Sequence, residues 1–197
     1  MVNNLLADGL LCKTSGSSWT KYGTGTVTQS IHGSGFGRYE RKFTVSNNNT
    51  LYLRQMVSVT AGKTYTMSGY VQSLGAKAYL RVTAGNDTFE SIPVELVGTE
   101  TETELTRTQV TFKVPAGVSS ISCDLVAKGT AQGTIAWWDS AQLEEGETAN
   151  HVNLIENSRM KRTGSSGLPN CWTADSNCAN YLSWQDGLTV PFACIRQ

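Results

Sequence analysis

The chain has 197 residues, with 16 Lys+Arg against 16 Asp+Glu and 2 His, and so no formal net charge at pH 7. That balance supplies neither the positive field that nucleic acid demands nor the basic excess that draws a protein to anionic membranes. The length suits one core of ~100–200 residues with a partial second unit, and no apolar run approaches the ~20 residues of a membrane span.

The opening residues, up to Trp19, lack the basic start and apolar stretch of a signal peptide, so none is expected. Residues 14–18 form a Ser-rich loop, and Trp19 after it reads as a plug closing one end of the fold. Gly33-Ser34-Gly35-Phe36-Gly37 imitates a phosphate cradle, but such a loop must follow a strand and open a helix. Here residues 38–43 alternate instead, which predicts a hairpin or loop followed by a strand. Residues 51–59 then place Leu51, Leu53, Val57 and Val59 on one face. After the turn Ala61-Gly62-Lys63, residues 65–71 resume the alternation with Tyr65, Met67 and Val71 on the apolar side. Residues 78–83 set Ala78, Leu80 and Val82 against Tyr79 and Arg81, and Gly85-Asn86-Asp87 closes that strand. Further strands are expected over residues 89–97, 109–114, 120–127 and 134–143. Many short strands at a spacing of ~8–12 residues predict an all-β antiparallel β-sandwich.

The opening Asn4-Leu5-Leu6-Ala7-Asp8 is echoed by Asn153-Leu154-Ile155-Glu156-Asn157, 149 residues later (153 minus 4). A Ser/Gly-rich stretch and a tryptophan, Trp19 or Trp172, follow each copy. The expected organisation is a module over residues 1–152 and, over 153–197, the start of an incomplete second repeat or a C-terminal appendage. The five cysteines include no CxxC pair, and neither His32 nor His151 is near one, which argues against zinc. Cys171, Cys178 and Cys194 could include one disulfide, while Cys12 and Cys123 read as small buried hydrophobes.

Three segments together carry a family resemblance: Asn4-Leu5-Leu6, residues 57–71 with Ala61-Gly62-Lys63-Thr64-Tyr65-Thr66, and Trp137-Trp138-Asp139-Ser140-Ala141-Gln142-Leu143-Glu144-Glu145-Gly146. The chain resembles the carbohydrate-binding-module-like jelly-roll domains repeated in bacterial RHS/YD-repeat wall-associated proteins and in some phage tail and surface proteins. The resemblance implies a jelly roll, a glycan or cell-wall polysaccharide as ligand, and neighbouring repeat domains as partners. It also implies a location outside the cell, on the cell surface or on a phage virion, and a homotrimer if the parent is a tail fibre. Related modules hold a structural calcium between the opening segment and the final strand, which nominates Asp8 and Asp139. This sequence has Leu11 and Cys12 where the family has Phe-Glu, and Ser140 where it has a second Asp. Calcium wants ~6–8 oxygens, so the expectation is that no cofactor is required and that calcium is at most structural. Without it, Asp8 reads as a turn residue and Asp139 as a capped or solvated one.

Sugar recognition needs flat aromatic faces with amides, guanidinium or carboxylate groups beside them. If the strands carrying them are neighbours, Tyr70, Gln72, Tyr79 and Arg81 form one patch. Trp138 joins it if Trp137, Ala141 and Leu143 take the core side; a bulge near Asp139 would exchange the two tryptophans. The alternative is ordinary cross-strand pairing of surface side chains. For catalysis little is offered. Glu144, Glu145 and Glu147 crowd a terminal loop, Glu100, Glu102 and Glu104 alternate on an edge, and no Gly-x-Ser-x-Gly elbow occurs. The expected function is a non-catalytic carbohydrate-binding or adhesion module. The rival is a structural spacer or assembly domain of an RHS-type toxin or tail fibre; a glycosidase is third.

Overall fold

The computed structural model describes residues 4–9, 11, 18–30, 40–95, 105–131 and 134–149, with the backbone of residues 173–174 and 195–196. Two compact units divide the chain, Met1–Val152 and Asn153–Gln197. In the second, the described backbone is one antiparallel pair, Thr173–Ala174 with Ile195–Arg196. The second copy of the candidate repeat motif at residues 153–157, Trp172 and every cysteine except Cys123 lie outside the described residues, as do His32, His151, the loop at residues 33–37 and Glu100, Glu102 and Glu104.

Among the described residues the first unit is an all-β sandwich of ten strands: β1 (Thr20–Gly23), β2 (Thr26–Ser30), β3 (Glu40–Thr44), β4 (Thr50–Ser58), β5 (Thr64–Leu74), β6 (Lys77–Ala84), β7 (Asp87–Glu90), β8 (Thr106–Lys113), β9 (Ser120–Lys128) and β10 (Ile135–Glu145). They form two five-stranded antiparallel sheets, β1-β4-β9-β6-β7 and β2-β3-β10-β5-β8, called here the first and second sheet.

The period-2 pattern decides which side chains meet between the sheets. The first sheet contributes Leu51, Leu53, Val57, Leu80, Val82, Ile121 and Leu125; the second contributes Phe43, Tyr65, Met67, Val71, Phe112, Trp138 and Leu143, all buried in one cluster. Each such side chain adds roughly 1.5–3 kcal/mol on leaving water. Trp19 joins this cluster, and its Nε1–H donates to the Asp8 carbonyl at 3.2 Å, a packing duty like the one expected of it. Cys123 is buried on the core side of β9, and burial pushes its thiol pKa well up, so it behaves as a hydrophobe.

Two segments differ from expectation. Residues 89–97 do not make one strand: β7 stops at Glu90, and Val94 returns only as an isolated bridge to Ala78. Pro93 has no N–H to continue a ladder, which explains the interruption. Residues 20–23 and 26–30, which carry no apolar alternation, nonetheless form β1 and β2 at the sheet edges. The β6–β7 link is a two-residue hairpin loop whose first residue, Gly85, has φ +64°, the conformation for which glycine is preferred.

Candidate functional site

The predicted single patch does not form. Tyr70 and Gln72 lie on β5 in the second sheet, whereas Tyr79 and Arg81 lie on β6 in the first. The chain crosses between sheets after Leu74, so the two pairs face outward on opposite sides of the sandwich. Trp138 is also misplaced. The β5–β10 register shifts between Asp139 and Gln142, and this bulge, with Ser140 at φ +50°, reverses the parity of the strand. Trp138 therefore shares the core side with Ala141 and Leu143 and is 0% exposed. Trp137 takes the outward side in its place.

On the outer side of the second sheet, paired positions define two rows. One runs Thr28, Lys42, Trp137, Gln72 across β2, β3, β10 and β5. The next contains Ser30 and Glu40 on β2 and β3, then Asp139, Tyr70 and Arg107 on β10, β5 and β8. Lys42 Nζ sits 5.2 Å from the Trp137 ring centroid, and the Arg107 guanidinium 5.7 Å from that of Tyr70, both within cation–π reach. Arg107 also donates to Ser68 Oγ at 3.3 Å. Lys42, Tyr70 and Arg107 are half-buried and form the accessible rim, behind which Glu40, Gln72, Trp137 and Asp139 are buried.

The acids set the electrostatics of this face. Neither carboxylate oxygen of Glu40 has a hydrogen-bond partner, and burial, with the charge of Asp139 second, raises its pKa to about 8. Glu40 is therefore a neutral carboxylic acid at pH 7, able both to donate and to accept. Asp139 is buried outright, not solvated, and accepts from Ser140 Oγ at 2.9 Å. Sequence reasoning missed Glu40, Trp137 and Arg107. The only available signals were the alternation of β3 and the bulge that the Trp137-Trp138 pair left open.

The outer side of the first sheet is organised differently. Tyr22, Tyr52, Val126 and Tyr79 form one cross-strand row, and Arg54, Asp124, Arg81 and Glu90 the next. Asp124, 0% exposed, accepts from Arg54 Nε at 2.7 Å and Nη2 at 2.8 Å, and from Arg81 Nε at 2.9 Å. Those bonds hold the Arg54 pKa above its ordinary value. Tyr22 and Tyr52 stack at 5.3 Å, with both guanidinium groups against Tyr52. Arg81 thus belongs to a charge network that the chain completes by itself, and Tyr79 lies in the row beside it.

For calcium, the opening turn and the β10 bulge do meet. Ala141 N–H donates to the Gly9 carbonyl at 2.8 Å, and Asn4 Nδ2 to the Ala141 carbonyl at 3.0 Å. Asp8 is buried in a turn at φ +54°, its carbonyl accepting from Leu11 N–H at 3.0 Å and from Trp19. Among the described residues, however, no three His, Cys, Asp or Glu come together. Two carboxylates fall short of the oxygen set calcium wants. The terminal glutamates also separate: Glu144 is buried on β10, while exposed Glu145 pairs with Lys63 at 2.8 Å.

No family model matches the chain. Laminin subunit alpha of Drosophila melanogaster is 28% identical over 139 residues, 61% of this chain, which spans only 4% of that protein's length. Among solved structures, TmCBM61 in complex with β-1,4-galactotriose is similar at TM-score 0.58 and 20% identity, over 73% of this chain and 99% of that one. A family 16 carbohydrate-binding module is similar at 0.52 and 19%, over 71% and 99%. The enzymatically active domain of bacteriophage CBA120 tailspike protein 4 is similar at 0.54 and 12%, over 72% of this chain and 21% of that one. At these identities the likeness shows the fold: the β-sandwich found in carbohydrate-binding modules.

Proposed function

We propose that the first unit is a non-catalytic carbohydrate-binding module whose ligand meets the outer face of the second sheet. The observation that carries this reading is Glu40, a buried carboxyl group whose oxygens lack partners, beside Asp139 and an aromatic pair. Leaving such a group unsatisfied costs ~1–3 kcal/mol, and a sugar hydroxyl supplies the complementary donor and acceptor. Tyr70 offers an aromatic surface at the rim, Trp137 lies behind it, and Gln72 and Arg107 provide amide and guanidinium groups. The solved module bound to galactotriose makes a glycan the first ligand class to try. With this reading go a setting outside the cell or on a virion and neighbouring repeats as partners.

A glycan array with wild type and Tyr70→Ala, run with calcium and with chelator, tests the reading. A wild-type hit weakened at least tenfold (about 1.4 kcal/mol) in Tyr70→Ala, with melting nearly unchanged, is expected. Loss of the hit with chelator would place calcium in the fold or site. A large stability loss in Tyr70→Ala would make Tyr70 a structural residue and end this assignment. A blank array together with a stable trimer in solution would favour the second reading, a spacer or assembly domain of an RHS-type protein or tail fibre, for which the tailspike likeness speaks.

A further inference from the structure

A second surface lies where the two edge elements of the first sheet part. β1 pairs with β4 only as far as Thr20 opposite Arg54, while β4 runs on to Ser58. The opening segment lies beside that overhang, fastened through Gln55, whose Oε1 accepts from Ala7 N–H at 2.7 Å and whose Nε2 donates to the Ala7 carbonyl at 2.9 Å. Between them is a cleft of about 600 Å³, a volume within the range of small-ligand sites. Among the described residues four large hydrophobics are exposed, and three of them, Leu5 (36%), Tyr22 (43%) and Met56 (62%), line this one cleft. Among the described residues its single charged lining residue is Arg54, and Ser18, Thr20 and Ser58 add hydroxyls.

Arg54 is fixed rather than mobile. Its Nε and Nη2 are spent on Asp124, itself shared with Arg81, and its guanidinium lies 5.4 Å from the Tyr22 ring and 5.1 Å from that of Tyr52. The bidentate grip on one edge directs Nη1 away from Asp124, and most of the ordering cost is met before any ligand arrives. We propose that this cleft binds an acidic sugar. A uronate carboxylate pairs with Arg54, the apolar ring face rests on Tyr22 and Met56, and the ring hydroxyls reach the Ser and Thr side chains. Arg81 acts as a positioning residue, since it shares Asp124 and so holds the Arg54 plane. The inference is independent of the opposite face, which has different residues and a buried acid in place of a fixed cation.

Titration of the full chain with trigalacturonate, and separately with neutral galactotriose, tests this. The acidic trimer is expected to bind at least tenfold more tightly at the cleft. Met56→Glu, which adds a like charge at an exposed position, and Tyr22→Ala should each weaken it at least tenfold at unchanged melting temperature, with Tyr70→Ala neutral. In the Tyr70→Ala background, equal binding of the two trimers, no binding of the acidic one, or acidic-trimer binding unaffected by Met56→Glu would overturn the proposal. Loss in Tyr70→Ala alone would assign the acidic ligand to the second sheet instead, which also overturns it.

Discussion

The two outer faces of the sandwich use the same residue types and end in opposite electrostatic states. On the first sheet a fully buried acid, Asp124, is gripped by two arginines, themselves 28% and 20% exposed at their side chains. On the second sheet Glu40 and Asp139 are buried side by side, and the oxygens of Glu40 have no hydrogen-bond partner in the chain. Burial of an acid is therefore a poor mark of a site on its own. What separates the faces is whether the partner group is already built in or must come from outside. The first face is closed around its acid and offers a cation at its rim; the second keeps an acid in reserve.

That contrast can be broken most forcefully at the tryptophan pair. Trp138→Ala should cost about 3–5 kcal/mol in urea denaturation, because Trp138 is 0% exposed in the core cluster, opposite Val71 of β5. A loss below ~1 kcal/mol would mean that the bulge does not place Trp138 inside. Asp124→Ala should cost less, about 2–3 kcal/mol, since the stranded Arg54 and Arg81 have partial access to water. Were it neutral, the first face would not be closed by Asp124 at all.

The third effect is the most specific to the second face. Glu40 has a pKa raised from 4.5 to about 8, so above pH 4.5 the unfolded chain gives up this proton while the folded one keeps it. Its contribution is complete below pH 4.5 and is lost as the pH rises to about 8. Wild type should lose melting temperature across that window, and Glu40→Gln should remove this part of the slope and be the more stable protein at pH 8. Parallel pH–melting curves for the two proteins would show that Glu40 is not held neutral.

Most of the fold was legible because apolar alternation is a strong signal wherever one side of a strand is buried. The core sides of β4, β5 and β6 lie where the sequence puts them. β1 and β2 were illegible for the opposite reason: they are short, Thr-rich and mostly exposed, so no period shows. The site was legible only in part. Tyr70 and Gln72 on one strand, and Tyr79 and Arg81 on another, each face outward as alternation dictates. Which strands share a sheet is a matter of long-range pairing, and a hairpin-like turn at Leu74-Gly75-Ala76 does not reveal that the chain changes sheets there. The tryptophans show the limit at a finer scale, since one extra residue at the bulge exchanges inside for outside without altering the local composition.

The clasp between the opening segment and β10 has a mechanical meaning. Asn4 accepts from Leu143 N–H through Oδ1 while Nδ2 holds Ala141, and Leu5 N–H donates to the Leu143 carbonyl, so the segment runs antiparallel to the end of β10. The two ends of the described unit, near Asn4 and Glu147, consequently leave it side by side. Tension pulling those ends apart would load the clasp one bond at a time, as a zipper opens, before either sheet is sheared. A unit joined to its neighbours at these points would extend first by releasing its own opening segment, and the faces of the sandwich would be the last parts to feel the strain.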